Sequence, residues 1–331
     1  MAQRWGWEKR LGLSLVLVAA MAGLSLVHAQ EKISVRMDFL PAGTHAPFHL
    51  AAAKGWYREA GLDVDIQDGR GSINTIQLVG AGQADFGWVS QGPMAIAREQ
   101  GMRLKSVAGI FRKGDLAVLV DDKSGWKTPK DLAGKRIVVF TASPWAPFID
   151  PFFKSAGMTR NDVNLVFVDP TSMFPNYASG QSDAVMTVGP FALPIVNINR
   201  PSRAILASDN GIQLPSYGII TLEEIIAGKA PTVQRFVSVT LRAFDYIYGG
   251  REGEGADAVI AARTGVKLDR NVILTQINLY KAFIHTDNSQ GQRTGWQSER
   301  DWEMAIKSME AANVIKPGKK PDEFFTNQFV K

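Results

Sequence analysis

Ala81-Gly82-Gln83-Ala84-Asp85-Phe86 and Ser179-Gly180-Gln181-Ser182-Asp183-Ala184 read as two copies of one joint. In each, an apolar helical pattern stops on a glycine, the residue that most easily takes the left-handed conformation past a helix end. A short polar link follows and a β-type run begins. Working outward, nine candidate strands appear: Ile33–Phe39, Asp63–Ile66, Ala84–Val89, Lys105–Ala108, Ala117–Val120, Arg136–Phe140, Asn164–Val168, Ala184–Val188 and Ala204–Ala207. The helical patterns between them stop at Gly55, Gly61, Gly82, Gly101, Gly157 and Gly180. Alternating strands and helices argue an α/β class with largely parallel sheets. Joints of this kind recur in unrelated α/β chains, but the number of strands on either side of Ser124–Lys130 favours two similarly wound lobes. Thr128-Pro129-Lys130-Asp131 reads as a helix start, with a Thr cap, Pro in the first turn and an acid at the third position. After Ser216 the texture changes: Val233, Phe236, Val237, Thr240, Leu241, Phe244 and Ile247 recur at helical spacing, and helical patterns dominate to about Ala312.

The composition excludes several classes. With 331 residues, 45% hydrophobic and 21% charged, the chain is globular rather than disordered or fibrous, and long enough for one large domain or two smaller ones. It has no cysteine, which removes disulfides, thiolate metal sites and thiol nucleophiles. A net charge of +5, part of it in the first ten residues, is not the composition of a nucleic-acid-binding protein. Arg4, Lys9 and Arg10 precede an uncharged run, Leu11–Val27, followed by His28-Ala29. A basic start, an apolar stretch and a small residue before the cut predict a secretory signal peptide over residues 1–29, and hence an exported, periplasmic protein. The alternative is an uncleaved anchor helix, for which the run is short. Without a cysteine there is no lipoprotein attachment site.

No catalytic set is present. Asp85-Phe86-Gly87 matches a kinase tripeptide but lacks the accompanying motifs, and neither a G-x-S-x-G elbow nor a Walker loop occurs. His45 and His49 have the spacing of helical metal ligands, yet Pro47 lies between them and no Glu follows His45. The expectation is that one faces a cleft and the other packs, with no metal and no cofactor. Three loops instead present donors where strands end, the position at which open α/β sheets bind ligands. Gly69-Arg70-Gly71-Ser72 opens a helical pattern over Ile73–Val79, where Ser72 can cap and Arg70 can hold a carboxylate or sulfonate by two hydrogen bonds. The plain alternative is a capped turn with a solvated arginine. Ser90-Gln91-Gly92-Pro93 and Thr141-Ala142-Ser143-Pro144-Trp145 are placed similarly. Trp88, Trp145 and Tyr217 are candidates to wall a planar or apolar ligand, or to be core.

The stretch from His45 to Val64, HAPFHLAAAKGWYREAGLDV, resembles a segment of periplasmic solute-binding proteins of the nitrate, taurine, aliphatic-sulfonate and thiamine-pyrimidine uptake group. Gly80–Gly87 and Thr128–Ile137 resemble that group's joint and its second-lobe start, and Pro231–Tyr246 and Trp296–Ile315 its C-terminal helices. The resemblance covers nearly all of the chain beyond residue 29. It implies a two-lobed type II binding fold, each lobe a mostly parallel sheet flanked by helices: residues 30–120 and 209–331 form the first lobe and 121–208 the second. Crossovers are expected near Val118–Asp122 and Ala207–Ser216, with hinge closure over a ligand.

By position, the resemblance implies a cleft built from Leu40–Phe48, Arg70–Ser72, Ser90–Gly92, Thr141–Trp145, Pro170–Ser172 and Val188–Pro190. The residues singled out for ligand contact are Phe39, Leu40, Thr44, His45, Phe48, Arg70, Gly71, Ser72, Ser90, Gln91, Thr141, Ser143, Trp145, Thr171, Gly189 and Tyr217. The implied function is a substrate-binding receptor of an ABC importer, monomeric, with permease and ATPase subunits as partners, capturing a small organic anion. A pyrimidine thiamine precursor, a flavin, or a periplasmic sensing role are the alternatives. A related branch, the yeast-type pyrimidine-precursor synthase, places a histidine near His45, but it also needs a lysine where this chain has Pro41, and a cysteine-rich segment that is absent. An enzyme is therefore not expected. Pyrimidine-binding relatives often carry a glutamate after the second-lobe strand, and Asp183–Phe191 has none.

Overall fold

The computed structural model describes residues 30–331, so the expected leader, residues 1–29, lies outside the described residues. Two five-stranded sheets form. The first contains β1 (Glu31–Arg36), β2 (Leu62–Gln67), β3 (Phe86–Ser90), β4 (Leu104–Gly109) and β10 (Tyr217–Leu222), in the order β2-β1-β3-β10-β4. The second contains β5 (Leu116–Asp121), β6 (Arg136–Val139), β7 (Asn164–Phe167), β8 (Ala184–Val188) and β9 (Ser202–Leu206), in the order β7-β6-β8-β5-β9. Strand for strand the two orders correspond, and in each sheet the fourth strand alone runs antiparallel to its neighbours. That odd strand, β5 or β10, is the one by which the chain arrives from the other sheet.

All nine expected strands form, and β10 is a tenth, where only helical texture was expected. Gly218 interrupts its β-type run, and the reason is steric: a Cβ there would lie 1.8 Å from the Gln91 amide nitrogen. β1 ends at Arg36, earlier than expected, so Met37–Phe39 leave the sheet and enter a loop. The first passage between sheets is residues 110–115, not Val118–Asp122. The apolar run Leu116–Val120 is β5, buried between β8 and β9 of the second sheet, so the first sheet's part before the crossover ends at Gly109 rather than at residue 120. The second passage is residues 207–216, as expected.

The first sheet is flanked by α1 (Ala46–Ala53), α2 (Ser72–Gly80) and α3 (Gln91–Glu99), and the second by α4 (Pro170–Ala178) and α5 (Gly189–Val196). Thr128–Asp131 does form a reciprocal capping box, over a 3-10 turn. The C-terminal helices α6 (Ala230–Tyr248) and α7 (Glu252–Ala262) pack on α1, while α8 (Arg270–Tyr280) packs on α5 of the second lobe. Every apolar position of the α6 stripe named above is buried. Phe236 of that stripe stacks on Phe86 with ring centres 4.2 Å apart, and burying one such ring is worth about 1.5–3 kcal/mol. Among the described residues no helix is long and apolar enough to cross a membrane.

Candidate ligand cleft between the lobes

The carboxyl ends of the strands face a cavity with about 460 Å³ of unfilled space, part of it open to solvent. The loop after β1 supplies Asp38, Phe39, Thr44 and His45, the start of α2 supplies Gly71 and Ser72, and β10 supplies Tyr217. From the second lobe come Phe140, Ser143 and Pro144 after β6, Met173 of α4, and Thr187, Val188 and Phe191 at the β8–α5 joint. Tyr280, the last residue of α8, closes the lining.

Asp38 organises the polar wall. Its Oδ1 lies 2.8 Å from His45 Nε2, and its Oδ2 accepts a 2.8 Å hydrogen bond from the Tyr217 hydroxyl. Because a carboxylate only accepts, His45 Nε2 donates, and in the neutral tautomer Nδ1 keeps a lone pair. That nitrogen is buried and has no partner among the described residues. The Tyr217 ring is held flat against Trp88, centres 5.5 Å apart. His49 packs instead: burial first, then Arg263 and His45, push its imidazole down to about 3, so it stays neutral. Burial likewise holds the Tyr217 and Tyr280 hydroxyls well above the usual phenol range, so both remain protonated.

The opposite wall is apolar. Phe39 reaches across from the first lobe, its ring centre 5.4 Å from Phe140 and 5.7 Å from Phe191, the latter edge-on. Gly71 is where the lobes come closest. It has φ +121°, and a Cβ there would lie 2.4 Å from the Ala142 carbonyl of the second lobe. The glycine thus serves lobe approach. Gln276 of α8 ties the walls together: its side-chain oxygen accepts from the Gly43 N–H at 2.8 Å and its amide donates to the Phe191 carbonyl at 2.7 Å.

Seven of the residues singled out from the sequence line the cavity: Phe39, Thr44, His45, Gly71, Ser72, Ser143 and Tyr217. The rest lie elsewhere. Leu40 is 44% exposed, and Arg70, Thr141 and Thr171 are exposed outside the lining. Phe48 is core, against Trp88 and Phe244. Ser90 is buried, and its N–H donates to the Ser72 hydroxyl, so Ser72 braces a strand end while Gly71 takes the cap position. Gln91 is buried at the start of α3, with its amide atoms unpartnered among the described residues. Trp145 stands behind the wall, its indole donating to the Thr187 carbonyl at 2.7 Å. Gly189 is buried below the cavity, its N–H donating to the Asp115 carbonyl. Sequence reading missed Asp38, Phe140, Met173, Thr187, Phe191 and Tyr280. Asp38, Phe140 and Thr187 fall within the expected strands Ile33–Phe39, Arg136–Phe140 and Ala184–Val188, and Met173, Phe191 and Tyr280 fall within helices, so no loop signal marks any of them.

The lining contains no lysine or arginine, and Asp38 is its one carboxylate. Two matching sheets with an inter-lobe cleft and two chain passages define the fold of the periplasmic solute-binding proteins. A solved example, the alkanesulfonate-binding protein of Xanthomonas axonopodis pv. citri bound to MOPS, superposes with a TM-score of 0.67 at 15% identity, over 89% of this chain and 98% of that one. The chain belongs to the NMT1/THI5-like family, whose pattern matches residues 42–252. It is 24% identical over 294 residues to a protein of Brucella abortus named as a putative binding protein, covering 86% of this chain and 89% of the other. It is also 28% identical over 162 residues to the formylaminopyrimidine-binding protein of Halalkalibacterium halodurans, covering 48% of each. Relatives and structural neighbours are mostly named as binding proteins, with one shorter match named as a synthase.

Proposed function

We propose that this chain is the extracytoplasmic receptor of an ABC-type importer and that its ligand is a small planar ring carrying N–H donors, such as an aminopyrimidine. The observation that carries this reading is the Asp38–His45–Tyr217 constellation in a cleft whose lining has no cation. A buried carboxylate already served by one imidazole and one phenol still has acceptor capacity, and a donor-bearing ligand is what such a wall recognises. An anion brought against Asp38 would meet a like charge in a poorly solvated place. The small organic anion expected from the sequence drew on Arg70, which is exposed and outside the lining, as well as on the helix start at Ser72 and the lack of a glutamate in Asp183–Phe191. Phe39, Phe140 and Phe191 supply the apolar faces that a flat ring needs. The family and the resemblance to relatives named for binding small solutes support the receptor role and a permease partner, while the basic start and apolar run of residues 4–29 support export with cleavage after Ala29.

One observation favours a second reading. Gly71 and Ser72, at the amino end of the nine-residue α2, lie in the lining, and a helix N-terminus attracts anions. A thermal-shift screen of residues 30–331 against aminopyrimidines, riboflavin, alkanesulfonates, nitrate and aromatic carboxylates separates the two. A ligand at 100 times its Kd adds about 2.7 kcal/mol to stability. Stabilisation by ring compounds with N–H donors is expected; stabilisation by anions alone overturns the ligand reading and leaves the receptor.

A further inference from the structure

Asp115 is the last residue of the first passage between the sheets, 1% exposed, and it does not itself line the cleft. It joins three parts of the molecule. It ends the passage, its carbonyl accepts from Gly189 N at the start of α5, and its Oδ2 lies 3.2 Å from the hydroxyl of Tyr280, which does line the cleft. The charged and titratable groups facing it are Asp38 from the loop after β1, Tyr217 from β10 and Tyr280 from α8, with Ser216 beside it; none brings a positive charge. Burial, reinforced by Asp38, lifts the Asp115 carboxyl to about 7. It therefore changes form near neutral pH, while the tyrosine it contacts does not.

A phenol hydroxyl has one proton and two lone pairs. While Asp115 is ionised it can only accept, so Tyr280 must spend its proton on Asp115 and turn a lone pair toward the cleft. Once Asp115 is protonated it can donate to the Tyr280 oxygen, which frees the phenol proton to point at the ligand. Resting on the reading of the cleft as a receptor for donor-bearing rings, we infer that Asp115, acting through Tyr280, sets whether this wall offers the ligand an acceptor or a donor. Asp115 is thus a positioning residue for specificity, and it couples ligand capture to release of a proton.

The test is calorimetric titration of the purified protein, residues 30–331, with 4-amino-5-hydroxymethyl-2-methylpyrimidine and with riboflavin at pH 5.5, 7 and 8.5. Wild type is compared with Asp115→Asn and Tyr280→Phe. Dividing the wild-type profile by that of Asp115→Asn removes the ligand's own titration. The expected result is that wild-type affinity, so corrected, rises roughly fivefold from pH 5.5 to 8.5, the size of one neutral hydrogen bond reversed. Tyr280→Phe, which cannot relay, loses the rise although Asp115 is intact. Binding with the same pH profile in all three proteins overturns the inference and leaves the receptor reading in place. Absence of binding by wild type at every pH overturns the ring reading and the inference with it. A melting curve of each variant at pH 7 separates misfolding from loss of relay.

Discussion

The first lobe meets the cavity with Asp38, Thr44, His45, Ser72 and Tyr217 and one apolar ring, Phe39, whereas the second meets it with Phe140, Met173, Val188 and Phe191 and only two hydroxyls, Ser143 and Thr187. The sheets behind these walls have the same strand order. Identical scaffolding therefore carries two different kinds of recognition. The first lobe reads hydrogen-bond direction, which is specific but needs desolvation; the second adds area and dispersion, which reward any flat apolar face. On the receptor reading, a ligand held by the first lobe completes its burial against the second, which places selectivity and cover in different halves of the chain.

The largest effect that would sharpen this contrast comes from acid. His49 has a folded-state pKa near 3, below the ordinary value of 6.5, because of burial, Arg263 and His45. As pH falls from 6.5, the unfolded chain takes up a proton the folded chain refuses, so stability is lost progressively down to about pH 3. The loss is on the order of 5 kcal/mol. The second lobe, residues 116–206, has no histidine. Hydrogen exchange should accelerate first in the first lobe, and His49→Gln should flatten the dependence; earlier opening of the second sheet would break the contrast. Next in size is Asp38→Asn, which removes the ionic acceptor shared by His45 and Tyr217. A loss of about 2 kcal/mol, roughly thirtyfold in Kd, is expected by calorimetry with a ring ligand. Unchanged affinity would deny the first lobe its reading role. Phe191→Ala strips one apolar face and should weaken every ring ligand by about 1 kcal/mol without changing their ranking. A changed ranking would show that the second lobe also selects. Smallest is Arg70→Ala: with the side chain exposed and outside the lining, Kd should shift less than about twofold. A large loss would return the anion reading to first place.

Much of the fold was legible because it is written in local pattern. Nine strands announce themselves as short β-branched runs between glycine-ended helices, and the α6 stripe as a helical period. β10 was hidden by Gly218, whose placement answers to Gln91, a residue far away in sequence. The cleft was legible to the level of loops. Ser72 was found because it opens a helix after a glycine-rich loop, His45 through its spacing and the family-like segment it begins, and Tyr217 as an aromatic able to wall a ligand. Asp38 was not, because strand propensity continues past Arg36 while the chain itself turns away. Arg70 and Gln91 mislead for one reason: a polar side chain beside a site points in or out according to its neighbours' packing, which no local pattern encodes. Phe140 and Phe191 look like core in sequence, and they do pack with Phe39 in the second lobe's apolar cluster.

β10 sits between β3 and β4 and joins the first sheet only after all five strands of the second have been laid down. Until residues 217–222 are made, β4 has no strand to pair with, whereas a chain ending near residue 206 already holds every strand of the second sheet. Closing β3 onto β10 spans more than a hundred residues, a slow step set by loop entropy. The half of the molecule that carries the polar wall is thus the last to be assembled, and the half that carries the apolar wall is ready first.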